Sequence, residues 1–209
     1  FLYSFLFLIT LGCLMWFASR QKSLPLNISD GFIITTMFWV VLACAGSIPF
    51  YFFGLNANDA IFESVSGITT TGATVIVGLD ELPKSLLLYR QLLQWIGGMG
   101  LIILAVAVMP ALGIGGGQLY KMELPGSHGN QRLTPKITDS AKALWKIYFG
   151  LTVICAFLYV LSGMNLFDAI AHSLSTVAGG GFSTHDASIG FFNSGLIETV
   201  CIIFMLLSA

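Results

Sequence analysis

Charged side chains are scarce in this sequence. Nine Lys and Arg and ten Asp and Glu make up 9% of its 209 residues, whereas a soluble domain carries about 25%. The net charge is −1, so the chain lacks the excess of basic residues on which nucleic acid binding depends. The composition therefore excludes an ordinary soluble domain and gives no support to a nucleic acid partner.

Cysteine is also rare and follows no pattern. The four cysteines lie inside apolar runs and do not have the spacing of metal ligands, which excludes a cysteine metal site. We predict that they act as small buried hydrophobic residues. They are Cys13, Cys44, Cys155 and Cys201.

Long apolar runs take up most of the chain, which is 56% hydrophobic with a mean hydropathy of +0.87. A membrane-spanning helix needs about 20 apolar residues. Four runs of this kind contain no charged residue: 1–19, 32–53, 91–120 and 147–167. A fifth begins at Thr199. The sequence predicts an all-α polytopic membrane protein with about five spans. Because apolar runs reach both ends, we expect it to be a fragment of a longer protein.

One short pattern occurs twice between these runs. The first copy, DAIFESVSGITTTGAT, covers 59–74, and the second, DAIAHSLSTVAGGGFS, covers 168–183. They align without a gap at a constant offset (168 − 59 = 109). Each copy predicts a re-entrant helix of about ten residues, 59–68 and 168–177, which is roughly 15 Å long and so spans half a bilayer.

Each predicted short helix has a polar start and is followed by small residues. Asp59 and Asp168 are the predicted N-caps, with Asn58 as a second candidate in the first copy. The opposite end carries partial negative charge that favours a cation. The segments 69–74 and 178–183, which we call the first and second filter segments, have small side chains around a glycine. Non-helical backbone at membrane depth must be buried in protein or line a watery cavity. The two segments therefore predict an ion pathway lined by backbone carbonyls.

The charges beside the apolar runs predict the orientation. Basic residues concentrate after the first run and in the polar stretch before residue 147, whereas mostly acidic residues flank the repeated pattern. By the positive-inside rule the basic stretches are cytoplasmic and the pattern begins on the outer side. Both short helices then enter the membrane in the same direction. This predicts parallel repeats around an axis along the membrane normal.

At these residues the chain resembles the TrkH/TrkG branch of the Trk/Ktr/HKT potassium transport superfamily. The matching stretches are SGITTTGATVIVGLDELP, YRQLLQWIGGMGLIILAVAVMPALGIGGGQLYKMELPG and AGGGFSTHDASIGFF. The resemblance implies four pseudo-repeats of outer helix, pore helix, filter strand and inner helix, as in K⁺ channels. It also implies K⁺ uptake across the bacterial inner membrane, a homodimer and a cytoplasmic nucleotide-binding regulator similar to TrkA. No enzymatic reaction and no organic cofactor are implied.

The resemblance divides the chain into four regions. They are the end of an N-terminal helix pair, 1–22; a first pore repeat, 31–110; a cytoplasmic linker, 111–140; and a second pore repeat with a truncated inner helix, 141–209. The third and fourth repeats, with the gate loop of the family, would lie outside this chain.

The resemblance also assigns K⁺ binding to backbone carbonyls in the two filter segments. The assigned residues are Thr70, Thr71, Gly72, Gly179, Gly180 and Gly181. The chain departs from the family at Gly179, where a bulky aliphatic residue is more usual. No acidic side chain interrupts either segment, which disfavours a divalent cation because such ions are usually held by carboxylates.

Other interpretations of the same residues remain open. An alternating-access transporter with broken helices would also contain repeats and unwound segments, but its short helix would interrupt one span. Glycine in membrane segments commonly reflects close packing, the interpretation that we give to the cluster 97–100. Ser183, His185 and Asp186 superficially suggest a hydrolase. Three sequence neighbours cannot easily face one another, however, and the chain has no GxSxG turn.

Several polar residues have two interpretations. Glu63 and His172 occupy equivalent positions and either tune the field near the filter or are hydrogen-bonded behind it, which we favour. Arg90 is predicted to be an interfacial anchor or an ion-pair partner. Three basic residues form a candidate docking surface for the regulator: Lys121, Arg132 and Lys136.

Overall fold

The computed structural model describes residues 2–18, 28–108 and 133–208. Those ranges contain α1 Leu2–Ala18, α2 Ile28–Phe53, α3 Ala57–Ile68, α4 Lys84–Val108, α5 Leu133–Leu161, α6 Leu166–Ala178 and α7 Gly195–Ser208. Two 3-10 turns, Leu79–Glu81 and Ser188–Phe192, follow the filter segments. No β-strand occurs in the described ranges. Most of the predicted linker, 111–140, lies outside the described residues. α5 begins at Leu133, within the range predicted for the linker.

A short helix lies between two longer helices twice in the chain. α3 packs against α2 and α4, and α6 packs against α5 and α7. α4 also packs against α6, so the last helix of the first repeat lies against the short helix of the second. The order of elements confirms the predicted all-α repeat architecture.

The two repeats are equivalent over a longer stretch than the sequence pattern. α2 and α5 end in the same turn, in which Leu55 N–H donates to Phe50 O at 3.2 Å and Met164 N–H donates to Tyr159 O at 3.0 Å. The two donors, Leu55 and Met164, are 109 positions apart (164 − 55 = 109), and so are the two acceptors, Phe50 and Tyr159 (159 − 50 = 109). Phe50 and Tyr159 are fully buried. These shared anchors fix how each short helix leaves the preceding long helix.

Asparagines cap the short helices, so the predicted aspartate N-caps are wrong. Asp59 N–H donates to Asn56 Oδ1 at 2.9 Å, and Asp168 N–H donates to Asn165 Oδ1 at 3.0 Å. The aspartates lie in the first turn and accept from the cap amides at 2.6 and 2.5 Å. This reciprocal pairing resembles a capping box, and it places a carboxylate where the helix dipole favours negative charge. Both helices consequently begin two residues earlier than predicted.

Each repeat has its own apolar core, and α4 contributes to both. The first core contains Phe50, Ala60, Ile68, Leu86 and Leu93. The second contains Met99, Tyr148, Cys155, Tyr159, Met164, Ala169, Val177, Ile197 and Phe204.

Apolar side chains also cover the outside of the long helices. On α5, Phe149, Val153 and Phe157 recur at every fourth position and are more than half exposed. Exposed apolar surface of this extent is typical of contact with lipid or protein rather than water. Thr35–Phe53 and Ala141–Leu161 are long and apolar enough to cross a membrane, by length and composition.

Cysteines also occur on the exposed apolar faces of the helices, so the prediction that all four are buried is wrong. Cys155 is buried and Cys201 is partly buried, but Cys13 and Cys44 lie on exposed helix faces. An apolar helix surface offers a thiol an environment outside the protein core, so burial within the chain is not required.

Glycines allow α4 to approach both short helices, which confirms the packing interpretation of 97–100. A Cβ on Gly97 would overlap the carbonyl oxygen of Ile68 at the end of α3. A Cβ on Gly98 would lie 3.2 Å from Ala178 at the end of α6. The absence of side chains at these two positions therefore sets the distance between α4 and both filter segments.

We expect Gly97→Ala to destabilise the protein by about 1–3 kcal/mol, because the methyl group must displace backbone. Gly150 in α5 has open space around it and provides the control. Gly150→Ala should leave stability unchanged or raise it by up to about 1 kcal/mol, since alanine is the better helix former. Thermal unfolding in detergent measures both. Equal effects of the two changes would contradict the packing role.

Replacing the caps should destabilise the short helices. We expect Asn56→Ala and Asn165→Ala each to lower the free energy of unfolding by about 0.5–2 kcal/mol, because an N–H of the first turn loses its acceptor. Asn58→Ala is the matched control, since Asn58 is an exposed asparagine inside α3. A loss as large for Asn58→Ala as for Asn56→Ala would argue against the cap assignment.

Candidate ion filter

The two filter segments share an unusual backbone conformation. Thr70 and Gly179 have φ of 55° and 66°, and Gly72 and Gly181 have φ of 78° and 83°. Each pair occupies equivalent positions at the offset of 109 residues. The segments are therefore not simple extended strands, in which successive carbonyls point to opposite sides. Left-handed residues at alternate positions interrupt that alternation, so the backbone of both segments differs from that of a strand in the same way.

Amide groups at the start of both filter segments bond back to the short helices. Thr71 N–H donates to Ser66 O at 2.9 Å, and Gly180 N–H donates to Ser175 O at 3.0 Å. These bonds satisfy the N–H groups and bind the last carbonyls of each helix. Among the described residues, no hydrogen bond is directed at the carbonyls of 70–72 or 179–181. Within those residues none of the six predicted ligand carbonyls accepts a hydrogen bond, but the carbonyl of the buried Gly180 faces the Cα of Gly72.

The two filter segments meet at their glycines. A Cβ on Gly72 would overlap the carbonyl oxygen of Gly180 and would lie 3.6 Å from Gly181 Cα. Gly179 and Gly181 have no heavy atom of the chain within 4 Å of an added Cβ. The fold therefore brings Gly72, Gly180 and Gly181 together. Thr70, Thr71 and Gly179 are partly or fully exposed and are not among these contacts.

Equivalent side chains of the short helices hold the outer ends of the filter segments. Thr74 Oγ1 donates to Glu63 at 2.9 Å, and Ser183 Oγ lies 2.9 Å from His172 Nε2. His172 Nδ1 lies 2.9 Å from Asp168 O. Since a carbonyl oxygen only accepts, Nδ1 donates there, and in the neutral ring Nε2 accepts from the serine. Both residues are buried, and these contacts confirm that they are hydrogen-bonded behind the filter.

α4 supports the second filter segment through Gln94, which sequence reasoning missed. Gln94 Oε1 accepts from Ser175 Oγ at 2.8 Å and from Phe182 N–H at 3.1 Å. A Cβ on Gly180 would collide with the Gln94 side chain. The available signal was a polar amide side chain within the uncharged apolar run 91–120. Its partner could not be read from the sequence because it lies 81 positions away.

Arg90 is fully buried in α4 and forms an ion pair with Glu63 at 2.7 Å. Of the two predicted roles, the structure therefore selects ion-pair partner over interfacial anchor. The guanidinium lies 4.3 Å from the centre of the Phe182 ring. Burial of this charge is tolerable because it is both paired and hydrogen-bonded.

The loops that follow the two filter segments bind each other. Asp186 accepts from Gly78 N–H and Leu79 N–H, each at 3.1 Å. His185 Nδ1 pairs with Asp80, in the 3-10 turn that follows the first filter segment. The His185 ring and the Asp186 carboxylate therefore bind the first repeat, and Ser183 Oγ bonds to His172 and to the backbone N–H of His185 rather than to either side chain, so the three residues do not form a triad.

Asp168 completes this outer cluster. It accepts from Thr184 Oγ1 at 2.7 Å and lies 3.2 Å from His185 Nε2. The same carboxylate belongs to the N-terminal turn of α6. The start of the second short helix is therefore connected to the outer loops of both repeats.

Comparison with known proteins decides the family. A sequence profile of the TrkH family, described as cation transport protein, matches residues 1–209. The chain belongs to the TrkH family. The crystal structure of the potassium transporter TrkH from Vibrio parahaemolyticus superposes with a TM-score of 0.84 at 50% sequence identity, covering 99% of this chain and 41% of that one. The predicted family and the predicted helical membrane fold are confirmed.

Individual TrkH relatives are similar over the same range. The Trk system potassium uptake protein TrkH of Vibrio parahaemolyticus is 54% identical over 212 residues, which cover 100% of this chain and 44% of that protein. TrkH of Halomonas elongata is 56% identical over 201 residues, with 95% and 42% covered. TrkG of Escherichia coli is 47% identical over 212 residues, with 100% and 44% covered. The chain thus spans less than half the length of these relatives.

The outer cluster should make stability depend on pH. The hydrogen bond from His185 holds the pKa of Asp80 below its ordinary value, which is about 3.9. A carboxylate whose pKa is lower in the folded state contributes its full stabilisation above its ordinary pKa. This contribution is lost as the pH falls through the folded-state pKa. We expect the stability difference between wild type and Asp80→Asn to be constant above about pH 5 and to shrink below about pH 4. A difference that grows toward low pH would contradict this assignment.

Proposed function

We propose that this chain provides two repeats of a potassium uptake pathway across the bacterial inner membrane. K⁺ is bound by the carbonyl oxygens of Thr70, Thr71, Gly72, Gly179, Gly180 and Gly181. The close approach of Gly72 to the Gly180 carbonyl carries this proposal. It supports a single pathway shared by both filter segments rather than two separate packing sites.

The chemistry of the site favours a monovalent cation. Carbonyl rings replace the hydration shell of K⁺, and the C-terminal ends of α3 and α6 add partial negative charge. Neither filter segment contains a carboxylate, the ligand on which divalent ions usually depend. The relatives named as potassium uptake proteins support K⁺ as the transported ion.

The proposal extends to the organisation of the whole protein. Residues 1–22 form the end of an N-terminal helix pair, 31–110 and 141–209 form two pore repeats, and 111–140 form a cytoplasmic linker between them. Further repeats outside this chain complete the filter. The assembled protein is a homodimer that works with a nucleotide-binding regulator.

The candidate docking surface for the regulator is only partly described. Lys121 and Arg132 lie outside the described residues, and Lys136 lies in the first turn of α5. The basic residues of this stretch remain the proposed contact because the regulator is cytoplasmic and the linker carries the excess of positive charge.

The position of the short helices argues against the alternating-access interpretation. A broken transporter helix is one interrupted span. Here α3 lies between the complete helices α2 and α4 and is joined to α2 by a tight turn. It is an additional re-entrant element, which favours a filter.

Substituting the filter glycines should reduce selectivity. We expect Gly72→Ser and Gly181→Ser to lower the preference for K⁺ over Na⁺ roughly tenfold, because left-handed backbone strains a non-glycine residue by about 1–3 kcal/mol. In Gly72→Ser the added Cβ also overlaps the Gly180 carbonyl. The measurement is rubidium uptake into proteoliposomes containing the intact polypeptide that carries this chain, with Na⁺ as competitor.

Gly150→Ser provides the matched control, because Gly150 is a helix residue with open space around it. Its selectivity should equal that of the wild type. Wild-type flux that does not discriminate Rb⁺ from Na⁺ would overturn the proposal. Unchanged selectivity in both filter variants would assign these glycines to packing.

A further inference from the structure

One side chain contacts the outer ends of both filter segments. Arg90 Nη2 donates to Thr74 Oγ1 at 3.0 Å, and Arg90 Nη1 donates to the carbonyl oxygen of Ser183 at 3.2 Å. Thr74 and Ser183 are the last residues of the first and second filter segments. They are equivalent positions in the two repeats (183 − 74 = 109). The guanidinium therefore spans the boundary between the repeats at matching points.

The orientation of this guanidinium is fixed on two sides. Arg90 Nε and Nη2 both lie 2.7 Å from Glu63 Oε1. Phe182 covers the face of the guanidinium at 4.3 Å. The second carboxylate oxygen of Glu63 accepts from Thr74 Oγ1 at 3.0 Å and from Val75 N–H at 3.2 Å. Glu63 thus holds the first filter segment directly and also holds the arginine that reaches the second.

Stability alone is a weak reason for such a pair. A buried ion pair often contributes no more than well-packed apolar residues of similar volume. Its distinctive property is geometric, because the planar guanidinium presents donors in a fixed fork, whereas lysine offers one compact charge on a flexible stem. A rigid fork between two equivalent points sets the distance between them.

The corresponding support in the second repeat is local. His172, which is equivalent to Glu63, contacts Ser183 of its own filter segment and Asp168 of its own helix. The bond across the repeat boundary at this depth comes from Arg90. The spacing of the two filter segments at their outer end therefore depends on a residue of α4.

We propose that Arg90, held by Glu63, is a positioning residue that sets the spacing of the two filter segments and thereby the preference for K⁺ over Na⁺. This inference rests on the proposed potassium pathway. The hydrogen bonds of Arg90 go to Glu63, Thr74 and Ser183 and not to the six proposed carbonyl ligands. The arginine acts through the last residues of the filter segments, two positions beyond the left-handed Gly72 and Gly181.

The test removes both charges together, because removing one leaves an uncompensated buried charge. In the intact polypeptide that carries this chain, the double variant Glu63→Gln/Arg90→Met should reach the membrane and take up Rb⁺. Its preference for Rb⁺ over Na⁺ should fall about tenfold, equivalent to about 1.4 kcal/mol. Arg90→Lys, which keeps the charge pair, should show a loss in the same direction since one ammonium group cannot reproduce the fork.

Thr152→Val is the matched control. Thr152 is a buried residue whose hydroxyl accepts from Trp95 Nε1 at 3.0 Å between α4 and α5, and it contacts neither filter segment. The amount of protein in the membrane is measured beside the selectivity ratio. A merely structural role for Arg90 would lower the amount of protein and leave the ratio unchanged.

The outcomes separate this inference from the proposed function. A wild-type ratio in the double variant, with selectivity lost in Gly72→Ser, would overturn the inference and leave the potassium pathway intact. An unselective wild type would overturn both. If the double variant fails to reach the membrane, Arg90→Lys decides: a lowered ratio supports the positioning role and an unchanged ratio overturns it.

Discussion

Peptide groups inside a bilayer have no water to bond, so any chain that leaves the helical conformation there must find other partners. In each filter segment the first amides bond to the end of the preceding short helix, and buried side chains hold the outer end. The carbonyls between these two attachments are left free. The rest of the structure, from the asparagine caps to the tight turns after α2 and α5, positions the short helices that make this possible.

The two repeats are equivalent in backbone but not in their surroundings. α4 ends the first repeat in sequence, yet it contributes Gln94 to the second filter segment and Arg90 to both. Gly97 and Gly98 bring the same helix against the ends of α3 and α6. Three of the six residues of the second filter segment are buried, whereas none of the first is buried in this chain. Each filter segment therefore depends on a helix shared between the two repeats, and a repeat is not an independent unit.

The errors of sequence reasoning have local physical causes. Asn and Asp are both good N-cap residues, so a sequence with asparagine three positions before aspartate permits either start, and the reciprocal amide–carboxylate bond decides for asparagine. Burial of the cysteines was expected from behaviour in soluble proteins. An exposed face of a membrane helix is itself an apolar environment, so Cys13 and Cys44 lie there without contradiction.

From hydrophobic length, charge and a pattern repeated at a fixed offset, the amino-acid sequence predicts the membrane character, the helical repeats and the position of both non-helical segments. It also indicated the filter glycines, since only glycine adopts left-handed backbone without strain. The residues that surround these glycines become apparent only in the folded chain. The bond that Arg90 donates to the Ser183 carbonyl joins residues 93 positions apart, and the bond that Leu79 N–H donates to Asp186 joins residues 107 apart. Such contacts leave no periodicity in the chain, because they arise only when helix packing brings distant segments together.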